Sequence, residues 1–245
     1  MTDALSSSLS PGGADQAAAA DRLGRLKRLD CWVFDLDNTL YPASCSLFPQ
    51  IDIRMRQFIA EALGLDLDAA FRLQKQYYHQ YGTTLRGLMM AHGIQPGEFL
   101  AYVHDIDHSV LDPSPALDRA LARLPGRKLI FTNGSERHAV AVLDRLGLTH
   151  HFQGIFDIQA ADYVPKPNAD AYAHMLARHD VKAERAAMFE DIPRNLAPAF
   201  AVGMATVLVE EDGQPHWGHK DDADLSHVDY VTNDLAAWLG AIDFA

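Results

Sequence analysis

A doubly wound, mainly parallel α/β sheet interrupted by a helical insertion is the fold class that this 245-residue sequence predicts, on three observations. Short segments rich in Val, Ile and Phe recur from about residue 30. Helical periodicity fills the gaps between them. One stretch, from about Tyr41 to Pro115, is far too long for an ordinary strand connection and has to be a structure of its own. Several short segments are near-continuously apolar, as expected of strands buried on both faces. A hydrophobic content of 48% is enough for one core of that size carrying a smaller one.

Taken in chain order, residues 1–24 are rich in Ser, Gly and Ala and read as a disordered tail. They have neither the basic start nor the apolar segment of a secretory signal. CWVFDLD, residues 31–37, is the first strand. In the insertion, Ile51, Met55, Phe58, Ile59 and Leu63 form one helical face, and Ala70, Gln74, Tyr77, Tyr78 and Tyr81 another. Gly64, Gly82, Gly93 with Pro96, and Pro113 with Pro115 divide it into four helices. The inserted domain is expected over 43–113, and the α/β core over 25–42 and 114–245. KLIFTNG (128–134) is the next strand, followed by a helix with Ala139, Val142, Leu143 and Leu146 on one face. GIFDIQ (154–159) precedes a helix marked by Tyr172, Met175, Leu176 and His179. AAMFED (186–191), ATVLVE (205–210) and VDYVTN (228–233) complete a Rossmann-like sheet.

Lys and Arg number 21 against 33 Asp and Glu, a formal charge of −12, which disfavours a nucleic acid polymer as partner. A small phosphorylated metabolite is still compatible, because local charge in a cleft can oppose the net charge. The only cysteines, Cys31 and Cys45, form neither a disulfide framework nor a metal quartet, and fit a reducing, cytoplasmic setting. No apolar run approaches the roughly 20 residues of a membrane span. His150 with His151, and His216 with His219, lack the carboxylate or cysteine pattern of a zinc site and read as surface residues. No GxxxxGK[ST] phosphate loop is present.

Four strands carry polar residues at or just beyond their carboxyl ends. These are Asp35 and Asp37; Thr132, Asn133 and Gly134; Lys166; and Glu190 with Asp191. Each alone has a plain structural reading as a turn, a helix cap or a solvated loop lysine. In an open parallel sheet, however, the strand carboxyl ends line one crevice, so the four sets are expected to meet there. Two carboxylates at the end of an apolar strand also need a reason, since an unpaired buried charge costs several kcal/mol or more.

DLDNT (35–39), FTNG (131–134), VPKP (164–167) and FEDIPRN (189–195) resemble, in this order, the motifs of the haloacid dehalogenase superfamily over residues 30–235. Within it, DLDNTLYP (35–42) with YGTTLRGL (81–88) and YVHDID (102–107) resembles the pyrimidine 5′-nucleotidase group. The resemblance implies a Mg²⁺-dependent phosphomonoesterase working through an aspartyl phosphate, with UMP or CMP as substrate. Asp35 would be the nucleophile and Asp37 the general acid and base. Thr132, the Asn133 N–H and Lys166 would hold the phosphoryl oxygens. Mg²⁺ would bind the Asp35 carboxylate, the Asp37 carbonyl and Asp191, with Glu190 close by. The insertion would be a cap over the site, offering Tyr81, Thr83, Thr84, Arg86 and His104 to the substrate. Asp37 favours phosphatase over dehalogenase, since only a phosphate ester has an alkoxide to protonate. Another small-molecule phosphatase and a phosphoglucomutase-like transferase stay open, as does, from a different class, a receiver-like phosphoaspartate signalling module. A monomer or homodimer fits either enzymatic reading.

Overall fold

The computed structural model describes residues 24–210 and 224–244, so the expected tail before Gly24 and the His216–His219 pair lie outside the described residues. Six strands form one sheet, with every pairing parallel: β1 (Cys31–Phe34), β2 (Arg127–Phe131), β3 (Gly154–Phe156), β4 (Ala186–Glu190), β5 (Ala205–Val209) and β6 (Tyr230–Thr232). Their spatial order is β3-β2-β1-β4-β5-β6. The sheet grows outward in one direction from β1 to β3 and then in the other from β4 to β6, which opens a crevice at the carboxyl ends of β1 and β4. Phe34 pairs with Ile130 on one side and Phe189 on the other, so Asp35 is level with Glu190.

Alternation of side chains across the sheet explains why the strand sequences are apolar throughout. Trp32, Phe34, Ile130 and Phe189 enter one face, where they meet Leu121 and Leu143. Val33, Leu129, Phe131 and Met188 enter the other, against Tyr172, Met175 and Leu196. The rings of Phe34 and Phe189 stack at 4.4 Å across β1 and β4, directly beneath the crevice. The covering helices are α5 (Pro115–Arg123), α6 (Glu136–Leu146) and α9 (Leu235–Ala241) on the first face, and α7 (Ala169–Arg178) and α8 (Pro193–Ala201) on the second.

β1 ends at Phe34, three residues short of the expected strand. The Asp35 N–H still donates to Phe189 O, but the Thr39 and Leu40 N–H groups then turn back to Leu36 O. Asn38 takes a positive φ of 59°, a conformation that Asn tolerates well. The chain therefore folds tightly around Asp35 and Asp37 before the insertion begins.

The insertion holds four α-helices, α1 (Leu47–Leu63), α2 (Leu67–Tyr81), α3 (Thr84–His92) and α4 (Pro96–Val103). Gly64 closes α1 in the left-handed conformation, and the Asp66 and Thr83 side chains cap α2 and α3. Ile51, Ile59, Ala70, Tyr77, Leu88 and Phe99 give this unit its own core. Gly87 lets α3 lie against α2, because a Cβ there would come within 2.4 Å of the Tyr77 side chain. Gly87→Ala is therefore expected to cost about 1–3 kcal/mol through overpacking, read as a fall of several degrees in Tm; an unchanged Tm would refute this packing.

Candidate active site

Lys166 sits at the centre of the crevice with its Nζ buried. It donates to Asp35 Oδ1 at 2.7 Å, Glu190 Oε1 at 2.7 Å and Phe131 O at 2.8 Å. Burial works against its charge, but Asp35 and Glu190 outweigh that effect and hold the amine above its ordinary range. The loop carrying it is pinned by Asn133, whose Oδ1 accepts from the Lys166 N–H at 2.9 Å and whose Nδ2 donates to Lys166 O at 3.2 Å. Asn195 Nδ2 and the Ile192 N–H complete the hydrogen bonding of Glu190, so Glu190 orients the lysine.

Asp35, Glu190 and Asp191 bring carboxylate oxygens within 4.8 Å of one another, all three buried. Burial raises the Asp35 carboxyl to about 7, with Lys166 opposing and Glu190 adding to the rise. Burial, reinforced by Glu190 and Asp35, likewise lifts Asp191 well above its ordinary range. Three carboxylates facing one lysine leave negative charge uncompensated, and the donors are all oxygen. That combination fits a hard divalent cation.

A pH dependence follows. The folded value of Asp35, about 7, exceeds its ordinary 3.8, so the folded chain holds more protons than the unfolded chain between them. This group's stabilising contribution is therefore lost as pH rises through that window. A divalent cation binds the ionised carboxylates, so the Tm gain from adding Mg²⁺ is expected to be small at about pH 5 and to grow toward pH 8. A gain independent of pH would contradict a cation held by this cluster.

Asp37 is held differently. Its Oδ1 accepts from the Tyr41 hydroxyl and is hydrogen-bonded to His138 Nε2 at 2.8 Å. Burial alone would raise this carboxyl, but His138 and Tyr41 more than offset it and keep it below the ordinary range. His138 stands in a column of imidazoles. His104 stacks on it at 4.5 Å with the rings 8° from parallel, and His108 Nε2 lies 3.3 Å from its Nδ1. Burial, followed by the neighbouring His138, pushes His104 down to about 3, so it is neutral beside Ser135 Oγ at 2.9 Å.

Asp35, Asp37, Thr132, Asn133, Lys166, Glu190 and Asp191 line one chamber of about 190 Å³ between the sheet and the insertion. Thr83, Thr84 and His104 share that lining, together with Asp52, Gln74, Lys75 and Tyr78. Tyr81 instead meets the Tyr77 ring at 5.7 Å, and Arg86 Nη1 donates to Tyr163 O at 2.9 Å, tying α3 to the core. His138 and the Asn195 bond to Glu190 are the features that the sequence reading did not assign to the site. Both residues lie three beyond a helix N-cap, Ser135 and Ile192 respectively. Away from the site, Asp118 Oδ1 lies 3.1 Å from His150 and 2.7 Å from His151. That histidine pair thus has a carboxylate partner from α5, and His151 is buried instead of lying on the surface.

A family model for haloacid dehalogenase-like hydrolases matches residues 29–203. Phosphate metabolism protein 8 of Saccharomyces cerevisiae is 29% identical over 193 residues, covering 71% of this chain and 60% of that protein. Enolase-phosphatase E1 of Frankia alni is 35% identical over 135 residues, covering 54% of this chain and 53% of that protein. The chain thus spans little more than half the length of these relatives. Among solved structures, the magnesium-bound HAD-hydrolase YfnB of Bacillus subtilis superposes with a TM-score of 0.58 at 15% identity, over 88% of this chain and 99% of that one. At that identity the likeness concerns the fold.

Proposed function

The chain belongs to the haloacid dehalogenase-like hydrolases, and from that premise we propose that it is a phosphomonoesterase in which Asp35 accepts the phosphoryl group. The observation that carries this reading is the second carboxylate, Asp37, held two residues from Asp35 by Tyr41 and His138. A halide needs no proton to depart, whereas an alkoxide does, so an acid placed there suits ester cleavage. The enolase-phosphatase relative agrees with the same chemistry.

In the first step an Asp35 oxygen bonds to phosphorus and the ester P–O bond breaks, while Asp37, ionised at rest beside His138 and Tyr41, gives the departing oxygen a proton that it takes up when the phosphate dianion enters beside it. In the second, water attacks the aspartyl phosphate, Asp37 takes its proton, and the Asp35 carboxylate is released with inorganic phosphate. Lys166, the Thr132 hydroxyl and the Asn133 N–H are suited to hold the three phosphoryl oxygens as charge shifts among them. Asp35, Asp191 and the Asp37 carbonyl would hold Mg²⁺, with Glu190 close by, and the ion would screen the repulsion between substrate and carboxylates.

The substrate we propose is a pyrimidine nucleoside 5′-monophosphate, UMP or CMP. The DLDNTLYP, YGTTLRGL and YVHDID stretches support it, and so does a chamber sized for a small metabolite. The test is phosphate release from nucleoside monophosphates, sugar phosphates and phosphoglycolate, with Mg²⁺ and then with a chelator. Mg²⁺-dependent release favouring UMP or CMP is expected; preference for a sugar phosphate would remove the nucleotide assignment.

Asp37→Asn is expected to lower kcat/KM, which reports the step that expels the leaving group, by about 10²–10⁴-fold for a nucleotide and much less for nitrophenyl phosphate, because nitrophenolate leaves without a proton, while the shared second step slows equally for both. His138→Ala should show the same leaving-group dependence in weaker form. Equal losses in kcat/KM on both substrates would remove the acid role of Asp37.

A further inference from the structure

The insertion side of the chamber contains a polar cluster that the chemistry at phosphorus does not use. Asp52 on α1 accepts, through one oxygen, from Gln74 Nε2 at 2.7 Å and Lys75 Nζ at 2.8 Å. Gln74 is only 2% exposed, and its Oε1 is buried with no hydrogen-bond partner among the described residues. Turning the amide over would not help, because Oε1 would then face the Asp52 oxygen, acceptor against acceptor. Asp52 therefore fixes the amide with its carbonyl oxygen unmatched, at a cost of about 1–3 kcal/mol unless a ligand supplies a donor. Lys75 balances the Asp52 charge, so the cluster presents a neutral acceptor instead of an anion.

Around this acceptor the wall is apolar, with Phe48, Ile51, Met55 and Phe99. A polyhydroxylated sugar would bring several donors and acceptors into a wall that matches few of them. A planar heterocycle bearing a ring or amino N–H would place its faces on the apolar side chains and its one donor on Gln74. We infer that Gln74, oriented by Asp52, is the base-reading residue of this site and accepts a hydrogen bond from the N–H of a nucleobase. This rests on the phosphomonoesterase reading and extends it from the phosphate to the leaving group.

The test compares kcat/KM for UMP, CMP, N3-methyl-UMP, N4,N4-dimethyl-CMP and nitrophenyl phosphate, in the full chain with Mg²⁺, for wild type and Gln74→Met. The wild type is expected to lose roughly 10–100-fold when its preferred nucleotide is methylated at the donor. Gln74→Met should fall by a similar factor on the unmethylated nucleotide, fall little further on the methylated one, and lose less on nitrophenyl phosphate, which carries no donor for Gln74. A cooperative melting transition of the variant serves as the control for folding. Wild type that cleaves methylated and unmethylated nucleotides equally overturns the inference, whatever the variant does. So does a variant that loses equally on every substrate. If wild type cleaves nitrophenyl phosphate but no nucleotide, this inference falls while the phosphatase reading stands; no cleavage of anything removes both.

Discussion

Asp35→Asn is expected to abolish phosphate release, by about 10⁴-fold or more in kcat, without loss of stability. The amide keeps the shape of the side chain but cannot bond to phosphorus as a carboxylate does. Stability should hold or rise, because the substitution removes one of the three buried carboxylates that crowd each other. Burial, opposed by Lys166 and reinforced by Glu190, already lifts Asp35 to about 7, which marks its charge as costly in the absence of a cation. Kinetics and a melting curve on the same preparation decide the matter. More than about 1% residual turnover in a clean preparation would displace Asp35 from the nucleophile's role.

Lys166→Met is expected to have the largest effect on stability, together with a large loss of turnover. The Nζ is the internal cation for Asp35 and Glu190, at 2.7 Å from each, and also satisfies Phe131 O. Its side chain is 1% exposed, so solvent does little to screen the pair. Breaking a buried pair of this kind costs about 3–5 kcal/mol, because the carboxylates are left behind without compensation. At roughly 2–4 °C per kcal/mol for a chain of this size, Tm should fall by about 6–20 °C. Turnover should fall by about 10²–10³-fold as phosphoryl charge loses its buried cation. Added Mg²⁺, or acid that protonates Asp35 and Asp191, should recover part of the Tm. A melting temperature within two degrees of wild type would show that Lys166 does not carry this charge balance.

The strands were legible because a parallel sheet buried on both faces requires apolar residues at consecutive positions. The six apolar segments correspond to β1–β6. Their ends were less legible. DLD reads as strand continuation, and only the turn around Leu36 and Asn38 shows that the chain has already left the sheet. Asp35, Lys166, Glu190 and Asp191 were anticipated together because sheet topology alone brings strand ends to one crevice. His138 was not, since GSERH reads as an ordinary helix entry. Its role depends on Ser135 capping the helix and directing the residue three beyond it back toward the Asp37 turn. Asn195 also stands three residues beyond its helix N-cap, but there Ile192 offers no side-chain cap, and Asn195 is placed by its own bond to Glu190. Gln74 was legible as a buried position at helical spacing, but the sequence could not reveal an amide locked by Asp52 with its oxygen unmatched.

Much of the histidine content also changes meaning in three dimensions. His104 and His108 come from the segment where the insertion returns to the core, and both lie against His138. Through His138 they tie the end of the insertion to the side chain that holds Asp37. In sequence these residues are 30 or more positions from His138, with no periodicity linking them.

The most direct measurement is a rapid acid quench of the enzyme with ³²P-labelled UMP and Mg²⁺, followed by hydroxylamine treatment and peptide mapping. A transient, hydroxylamine-labile acyl phosphate is expected on the peptide containing Asp35, formed before phosphate appears in solution and lost in Asp35→Asn. Phosphate released at the wild-type rate with no protein-bound label, or with the label on another residue, would contradict this.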